Sequence, residues 1–524
     1  MSIKPEGKQK YAWHDVVKVG PPKRPAAERI QDFKEIYCLY DEARLREQAS
    51  RCIECPEALC VQGCPLNNRI PEWMALAAEG NYIEAAALSR STSNMPEICS
   101  RVCPQERLCE GSCILNGKGA EPPPIGAVEK FINEYAFAHG AIHFTRAMPN
   151  GLSVAVIGAG PAGMSCADEL ARRGYAVTIF ESMPVPGGLL TNGIPGFKLE
   201  KHIIDRRFEF LRQRGVELRL NATLGKDVTL EELLEKFDAV FLGIGAQKAK
   251  PVDVPGGDLK GVYQALPFLI QKNVDYPFDF PPIDVSGKRV AVLGGGDTAM
   301  DCLRTALRCN AKEAVCVYRR DLANMPGSRK EYVSATEEGA QFLFLTNPIA
   351  ITGNGAGEVT RLECVKMELG APDASGRRKP RPVPDSKFAL PVEVIIAAYG
   401  FDPVPFPSDS DLSMIEVNEW GGVVVDANQM TSVEGVFAGG DLSRGPSLVV
   451  HAVRDARKAA TAIHKWLAEK RTGGIGGGLR SGPRPCFLEA PRKSGKKIPR
   501  ARCQFRAWGL MRWRARRGGP GALF

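Results

Sequence analysis

The chain has 524 residues, 44% of them hydrophobic and 25% charged, a composition that predicts several globular domains and excludes a fibre or a fully disordered protein. It contains no run of 18 apolar residues and no apolar N-terminal segment, so we expect neither a membrane span nor a signal peptide but a cytoplasmic protein. The formal net charge of +9 arises in residues 472–524, which hold thirteen Lys and Arg residues and one acid, and the nearly neutral remainder gives no sign of nucleic-acid binding.

Residues 1–150 are predicted to form a helical domain. Apolar residues recur at intervals of three and four in the segments 41–52 and 70–91, which indicates amphipathic helices. A further helix is predicted after the proline run at 122–124. Eight of the sixteen cysteines lie in this domain between Cys52 and Cys113. In a reducing compartment such cysteines are expected to bind metal rather than to form disulfides.

The eight cysteines form two dense runs, in which prolines directly follow some of the cysteines. Iron–sulfur clusters need about four soft ligands each, and runs of this density are typical of ferredoxin-like clusters. Zinc sites favour two separated C-x2-C pairs, whereas only one such pair occurs here. The pattern therefore predicts two [4Fe–4S] clusters. The two runs are Cys52-x2-Cys55-x4-Cys60-x3-Cys64 and Cys99-x3-Cys103-x5-Cys109-x3-Cys113.

Strand and helix patterns alternate from Leu152 to about residue 470, which predicts an α/β fold with parallel sheets. The first strand, LSVAVI, leads into Gly158-x-Gly160-x-x-Gly163 and then into a helix. These glycines allow a tight turn and a close approach of the backbone to a pyrophosphate at the helix N-terminus. The next strand ends at Glu181, whose carboxylate would accept hydrogen bonds from ribose hydroxyls. This arrangement predicts a dinucleotide site.

Two other glycine-rich segments indicate which dinucleotide binds there. Gly188 lies in GGLLTNG, and Gly440 and Asp441 lie in the late segment GVFAGGDLSRG. Together with the first fingerprint, this pairing resembles flavin-binding oxidoreductases. The resemblance implies FAD in the first site, with Asp441 hydrogen-bonded to its ribityl and pyrophosphate region. The expected FAD-binding domain is discontinuous and comprises residues 151–285 and 400–470.

A second fingerprint of the form G-x-G-x-x-A lies between these halves, in a domain expected at residues 286–399. Its next strand ends at Arg319 and Arg320 instead of at an acid. An Arg can bind a 2′-phosphate that a carboxylate would repel, so the second site is predicted to bind NADPH. The alternative is that these are only two surface Arg residues at a strand end. The fingerprint residues are Gly294, Gly296, Asp297, Thr298 and Ala299.

Further redox or hydrolytic groups are not evident. Beyond Cys113 the chain contains no C-x-x-C pair, so a dithiol like that of thioredoxin reductase is not expected. Other cysteines, such as Cys166 and Cys302, lie in apolar patterns typical of core residues. No Ser/His/Asp or metal-hydrolase pattern occurs. We therefore expect no catalytic residues beyond those that bind the cofactors.

Residues 31–470 as a whole resemble the small (beta) subunits of NADPH-dependent glutamate synthases, whose N-terminal cluster domain is shared with dihydropyrimidine dehydrogenase. The resemblance implies a helical iron–sulfur domain followed by an α/β flavoprotein with two dinucleotide-binding domains, similar to disulfide reductases. It depends on the order and spacing of RC-x2-C-x4-C-x2-GCP, RVCPQERLCEGSC, VAVIGAGPAG, LGGGDTAMDC, MPGSRKE and EGVFAGGD.

The same resemblance implies which residues hold the two clusters. The first cluster would be bound by Cys52, Cys55, Cys60 and Cys113. The second would be bound by Cys64, Cys103, Cys109 and a ligand that is not a cysteine. Glu129, sixteen residues after Cys113, fits that place, and Cys99 is the rival fourth ligand.

The resemblance also implies a function and a partner. Electrons would pass from NADPH through FAD and the clusters to a large subunit with FMN and a glutaminase domain, which forms glutamate from glutamine and 2-oxoglutarate. Alternatively, the same module feeds another acceptor, such as a pyrimidine reductase, a ferredoxin or a bifurcating complex. Residues 471–524, rich in Gly, Arg and Pro, depart from the family and fit either a disordered tail or a stretch translated in a shifted frame.

Overall fold

The computed structural model describes residues 12–277, 280–372 and 378–472. The tail predicted for residues 471–524 therefore lies outside the described residues from position 473 onward. Within the described residues, a helical N-terminal region is followed by two units in which helices and parallel strands alternate.

The N-terminal region is helical, as the spacing of its apolar residues predicts. Helix α3 begins after Asp41, whose side chain accepts a hydrogen bond from the Arg44 amide at 2.8 Å. Trp73 of α5 is fully buried against apolar side chains of α3, α6 and α8, and forms the centre of this domain's core. The helices are α1 (Ala12–Asp15), α2 (Ala26–Arg29), α3 (Glu42–Ser50), α4 (Leu59–Gln62), α5 (Ile70–Glu79), α6 (Tyr82–Thr92), α7 (Pro96–Val102) and α8 (Ile125–Ala138), with 3-10 helices at Gln105–Arg107 and Ile114–Lys118.

Short strands and helices make up the chain from residue 151 onward. In chain order they are β1 (Ser153–Ile157), α9 (Pro161–Ala171), β2 (Ala176–Phe180), α10 (Leu189–Asn192), α11 (Lys201–Gln213), β3 (Glu217–Arg219), α12 (Leu230–Lys236), β4 (Ala239–Leu242), β5 (Lys248–Ala249), β6 (Val262–Gln264), α13 (Ala265–Asn273), β7 (Arg289–Leu293), α14 (Asp297–Arg308), β8 (Glu313–Val317), α15 (Arg329–Glu337), β9 (Gln341–Leu343), β10 (Thr346–Gly353), β11 (Val359–Pro372), β12 (Arg378–Pro391), β13 (Val394–Ala397), β14 (Phe401–Asp402), a 3-10 helix (Asp411–Met414), β15 (Val436–Ala438), α16 (Asp441–Arg444) and α17 (Val449–Thr472).

The first α/β unit contains a parallel sheet with the strand order β15-β4-β1-β2-β3. Residues 154–157 of β1 are buried, since helices cover both faces of such a sheet. The order reverses between β1 and β4, and ligands bind doubly wound sheets at the carboxyl ends of the strands beside such a reversal. Strand β15 comes from the late part of the chain, so this unit is discontinuous, as the glycine-rich segments predict.

The second unit repeats this topology, with the parallel order β6-β13-β7-β8-β9. Its order reverses between β7, which leads into the second fingerprint, and β13. Strand β6 pairs with β13, and helix α13 packs into the same core, so this unit begins before the boundary expected at residue 285. The sequence did not reveal β6 because it has three half-buried residues and no glycine turn after it.

The remaining strands connect or extend these units. The antiparallel sheet β10-β11-β12 is inserted before β13. The short strands β5 and β14 pair antiparallel, with Phe401 opposite Ala249. The two segments in which the chain passes from one α/β unit to the other therefore lie side by side. The second of these segments is near the boundary expected at residue 400.

Candidate functional site

A single cavity of about 480 Å³ receives residues from both fingerprints and from a cysteine run. It lies at the carboxyl ends of β1 and β4, where the sheet topology predicts a ligand. Its wall contains Gly158, Gly160, Glu181, Gly188 and Asp441 from the first α/β unit, Asp297 and Thr298 from the second, and Cys103 and Pro104 from the N-terminal domain.

The first fingerprint requires glycine for steric reasons. Gly158 has a φ of +94°, and a Cβ there would lie 2.7 Å from the Gly243 carbonyl oxygen. A Cβ on Gly163 would lie 1.8 Å from the Gly158 carbonyl oxygen. The loop after β1 and the first turn of α9 therefore pack backbone against backbone. The N-terminus of α9 thereby reaches the cavity with free space in front of it, as pyrophosphate binding requires.

Glu181 lies buried at the end of β2 and lines the cavity. Its Oε2 accepts a hydrogen bond from the Ala159 amide at 2.7 Å, and its Oε1 accepts one from the Met183 amide at 2.9 Å. These bonds fix the carboxylate beside the fingerprint turn. Oε1 also accepts a hydrogen bond from the Ser182 hydroxyl at 3.2 Å, whereas Oε2 retains a lone pair that could accept one from a ribose hydroxyl.

Asp441 also lines the cavity. The preceding Gly440 has a φ of +72°, and the Asp441 carboxylate accepts a hydrogen bond from the Ser447 amide at 3.1 Å. Burial raises the pKa of Asp441 to about 7. Leu448 and Val449, at the start of α17, line the cavity, so the N-terminus of this helix reaches the same space.

The second fingerprint requires glycine at its first position for the same steric reason. Gly294 has a φ of +134°, and a Cβ there would lie 2.4 Å from the Ala398 carbonyl oxygen. Gly296 caps α14, and a Cβ there would meet no protein atom within 4 Å, which leaves room for a ligand. Asp297 accepts a hydrogen bond from the Ser328 amide at 2.8 Å, and Ala299 is buried in the core.

Arg319 and Arg320 follow β8, outside the cavity wall. Arg319 is exposed, whereas Arg320 is half-buried and its Nε donates to the Arg378 carbonyl at 3.3 Å. The structure thus places the pair at the strand end where a 2′-phosphate is expected in this fold.

The cysteines expected to bind the first cluster come together around Cys60. Burial raises the pKa of the Cys60 thiol to about 12, and the neighbouring Cys52, Cys113 and Cys55 thiols raise it further. A thiolate in such a place needs a strongly cationic neighbour, which an iron–sulfur core would supply. These four residues therefore fit a cluster.

The second group of cysteines lines a small separate cavity together with Glu129. Burial raises the pKa of Glu129 to about 7, and its Oε1 accepts hydrogen bonds from Asn68 Nδ2 at 2.8 Å and Ser89 Oγ at 2.9 Å. Both rivals for the fourth ligand reach this cavity. The candidate ligands in its wall are Cys64, Cys99, Cys103, Cys109 and Glu129.

The chemistry of both groups suits iron–sulfur clusters. A hydrogen bond with Cys99, followed by burial, raises the pKa of Cys103, and burial raises that of Cys109. Among the described residues, no three His, Cys, Asp or Glu side chains converge on one point as ligands of a single metal ion. Thiols gathered in two enclosed groups of about four match the ligand number that two clusters require.

Several cavity residues were not found from the sequence. Lys198, from the loop before α11, forms a buried ion pair with Asp301 of α14 at 2.9 Å. Arg101 of α7 and Lys330 also line the cavity. These three residues come from three different domains, so no single sequence motif contains them. The one feature of the sequence that could have indicated a site residue was Lys198, a lysine within an otherwise apolar loop.

No helix in the described ranges is long and apolar enough to span a membrane.

Comparisons with protein families divide the chain in the same way. Residues 29–141 match the family described as dihydropyrimidine dehydrogenase domain II, 4Fe-4S cluster. Residues 152–456 match the pyridine nucleotide-disulphide oxidoreductase family. The predicted fold class, a helical iron–sulfur domain followed by a disulfide-reductase-like flavoprotein, is confirmed.

Individual relatives match over most of the chain. The chain is 45% identical over 468 residues to the glutamate synthase [NADPH] small chain of Escherichia coli K12, covering 87% of this chain and 98% of the relative. It is 35% identical over 480 residues to the NADPH-Fe(3+) oxidoreductase subunit beta of Geobacter sulfurreducens, covering 85% of this chain and 69% of the relative.

A solved structure has the same fold at lower identity. FprA from Mycobacterium tuberculosis is 22% identical, with a TM-score of 0.55, and the match covers 62% of this chain and 86% of FprA. This similarity shows that much of the chain shares the fold of FprA.

Proposed function

The chain belongs to the family of the NADPH-dependent glutamate synthase small chains, and from this premise we propose that it is the electron-input subunit of a glutamate synthase. It is an NADPH-dependent flavin oxidoreductase with iron–sulfur clusters. We propose that it oxidises NADPH and delivers electrons to a large subunit with FMN and a glutaminase domain, which forms glutamate from glutamine and 2-oxoglutarate.

The observation that carries this proposal is the shared cavity of about 480 Å³. The first fingerprint with Asp441 forms one wall, Asp297 and Thr298 of the second fingerprint form another, and Cys103 with Pro104 forms a third. A flavin in the first site would therefore have the nucleotide site and a cluster ligand as direct neighbours. This is the arrangement that a relay from a two-electron donor to one-electron carriers requires.

The residues of this chain position and enclose the reactants. When bound, FAD supplies hydride acceptance and one-electron release, and the clusters supply one-electron transfer. The N-termini of α9 and α17 present backbone N–H groups to the flavin site, and Glu181 is held to accept ribose hydroxyls. Gly296 leaves the N-terminus of α14 open for the nucleotide, and Arg319 supplies positive charge for its 2′-phosphate.

The position of the cysteines supports an order for the relay. Cys103, assigned to the second cluster, lines the flavin cavity, whereas the four cysteines of the first group do not. Ile98 of α7, the helix that leads into Cys103, and Met95 directly before this helix lie in one core with Val450 of α17. We therefore place the second cluster beside the flavin and the first cluster nearer the acceptor.

A second candidate function is the same relay with another acceptor. It is favoured by the similarity to an NADPH-Fe(3+) oxidoreductase subunit, whose name gives NADPH as the donor but Fe(3+) as the acceptor. No feature of the described residues assigns a site for an amide or a 2-oxoacid in this chain. The acceptor thus depends on the partner.

Two activities of the purified chain test the proposal. The chain alone should reduce an artificial dye with NADPH and form no glutamate from glutamine and 2-oxoglutarate. Adding the large subunit encoded by the same genome should give NADPH-dependent glutamate formation. Dye reduction without glutamate formation in the assembled pair would favour the second candidate function, and the absence of NADPH oxidation would refute both.

A further inference from the structure

The 3-10 helix at Gln105–Arg107 joins the cluster domain to the second α/β unit. It lies between two candidate cluster ligands, Cys103 and Cys109, yet its side chains contact the first residues of α15 and the segment before that helix. The Gln105 Oε1 accepts a hydrogen bond from Lys330 Nζ at 3.3 Å. The next residue, Glu106, accepts one from the Ser328 hydroxyl at 2.7 Å and one from the Arg329 amide at 3.1 Å.

Arg107, the third residue of this turn, reaches the second fingerprint itself. Its Nη1 donates to the Pro326 carbonyl at 2.6 Å, and its Nη2 lies 3.6 Å from Asp297 Oδ2. The Ser328 amide holds the other oxygen of Asp297 at 2.8 Å. The Arg107 side chain is 43% exposed, so a ligand can reach it. A guanidinium has five N–H donors, more than these contacts use.

The position of Asp297 explains why a cation is needed there. It is the first residue of α14, directly after Gly296, where the fold places the pyrophosphate of a dinucleotide. A carboxylate stabilises a helix N-terminus but repels a pyrophosphate that approaches the same place. A guanidinium beside the carboxylate offsets that repulsion and can bind phosphate oxygens through paired N–H groups.

We propose that Arg107 binds the pyrophosphate of NADP(H), so that the iron–sulfur domain completes the nucleotide site of the second α/β unit. This inference rests on the proposed function, which places the nucleotide at this fingerprint. The pyrophosphate occurs in both NADPH and NADH, so Arg107 increases the affinity for both. Arg319 differs, since it would contact a phosphate that only NADPH carries.

Binding of oxidised nucleotides to the full chain tests the proposal without turnover. NADP+ and NAD+ are titrated calorimetrically into the wild type, Arg107→Ala and Arg107→Gln, and the iron and flavin contents of each protein are measured. Both variants should weaken both nucleotides about tenfold, which is 1.4 kcal/mol, and leave their affinity ratio unchanged. Arg69→Ala is the matched control, because Arg69 is an exposed arginine of the same domain that pairs only with a surface residue, Glu72, at 3.2 Å. It should bind as the wild type.

Each other outcome overturns the inference. A variant with full iron and flavin content and wild-type affinity would show that Arg107 does not touch the nucleotide. Weakening of NADP+ alone would assign Arg107 to the 2′-phosphate instead. If binding falls only in variants that have lost iron, the turn has a structural role. If the wild type binds neither nucleotide, the proposed function fails, and this inference falls with it.

Discussion

Arg319 and Arg320 are adjacent in the sequence, but the fold exposes their guanidinium groups to a ligand to different degrees. Arg320 Nε is bonded to the Arg378 carbonyl, whereas Arg319 is exposed at the end of β8. We expect Arg319→Ala to lower kcat/KM for NADPH by about 10–150-fold, since losing a charge-assisted phosphate contact costs about 1.5–3 kcal/mol. The value for NADH should stay unchanged, and Arg320→Ala should have the smaller effect.

Steady-state kinetics with both nucleotides measure this effect. Arg361→Ala is the control, because Arg361 is an exposed arginine of the same α/β unit that pairs with Glu363. An unchanged NADPH/NADH ratio in the Arg319→Ala, Arg320→Ala double variant would refute the assignment of the 2′-phosphate site.

Glu129 and Cys99 compete for the fourth position of the second cluster, and their contacts favour Glu129. The hydrogen bonds from Asn68 and Ser89 both engage Oε1, which leaves Oε2 as the candidate ligand atom. Cys99 reaches the same cavity but also packs into the core of the flavin unit. Glu129→Ala should therefore lose one cluster, and Cys99→Ser should keep both, as judged by iron content and electron paramagnetic resonance of the reduced protein. The reverse pattern would assign the ligand to Cys99.

The sequence predicted those site residues whose role depends on local geometry. Gly158 and Gly294 follow buried strands and have left-handed backbones in which a Cβ would collide with a neighbouring carbonyl. Lys198 and Arg107 were not predicted as site residues. Each acts on α14 from another domain, and no spacing rule within one segment encodes such a contact.

At the level of single elements, a substitution at the N-terminus of α14 can distinguish an effect on protein stability from an effect on nucleotide binding. A Cβ at Gly296 meets no protein atom within 4 Å, and the residue has an ordinary negative φ, so alanine should fit the protein without strain. The pyrophosphate is expected to approach this backbone closely, and the added methyl group would displace it. Gly296→Ala should keep the melting temperature and flavin content but weaken NADP+ at least about tenfold, or about 1.4 kcal/mol.

Gly355→Ala is the matched control for this prediction. Gly355 also has no neighbour within 4 Å of its Cβ, and it lies in the β10–β11 connection of the same unit. Calorimetric titration and thermal melts of both variants decide the result. If Gly296→Ala binds NADP+ as the wild type does, the nucleotide does not lie against this turn.

Strands that combine several buried residues with a glycine turn could be predicted from the sequence, whereas a short, half-buried strand such as β6 could not. The strands β1 and β7 combine four buried residues with a glycine turn, so both stand out in the sequence. Strand β6 has three half-buried residues, and its partner β13 lies 130 residues further on. Its place in the sheet depends on that distant pairing, which a local pattern does not contain.

For the whole molecule, the order of the domains could be predicted but their packing could not. The cysteine spacing and the two fingerprints each indicate their own chemistry, and the late Gly440-Asp441 segment indicates a discontinuous flavin unit. That Cys103 reaches the flavin cavity depends on the packing of α7 against α17, in a core formed by Ile98 and Val450. This contact supports the proposed electron path, because it brings a candidate cluster ligand to the flavin cavity.

The electron path gives a prediction for the molecule as a whole. Cys52→Ser removes a proposed ligand of the first cluster, whose cysteines are not part of the flavin cavity wall. Delivery of electrons to the partner should fall to near zero, whereas dye reduction by NADPH should persist, because a dye can take electrons at the flavin. Cys38→Ser, which changes an exposed cysteine outside both runs, should leave both activities unchanged. Iron content and electron paramagnetic resonance show which cluster is lost. If Cys52→Ser loses the first cluster but delivers electrons to the partner as the wild type does, the proposed order of the relay is wrong. If it lowers both activities equally while flavin is retained, the dye takes electrons from the first cluster and not at the flavin. If flavin is lost as well, the first cluster is needed for the fold rather than for the outward path.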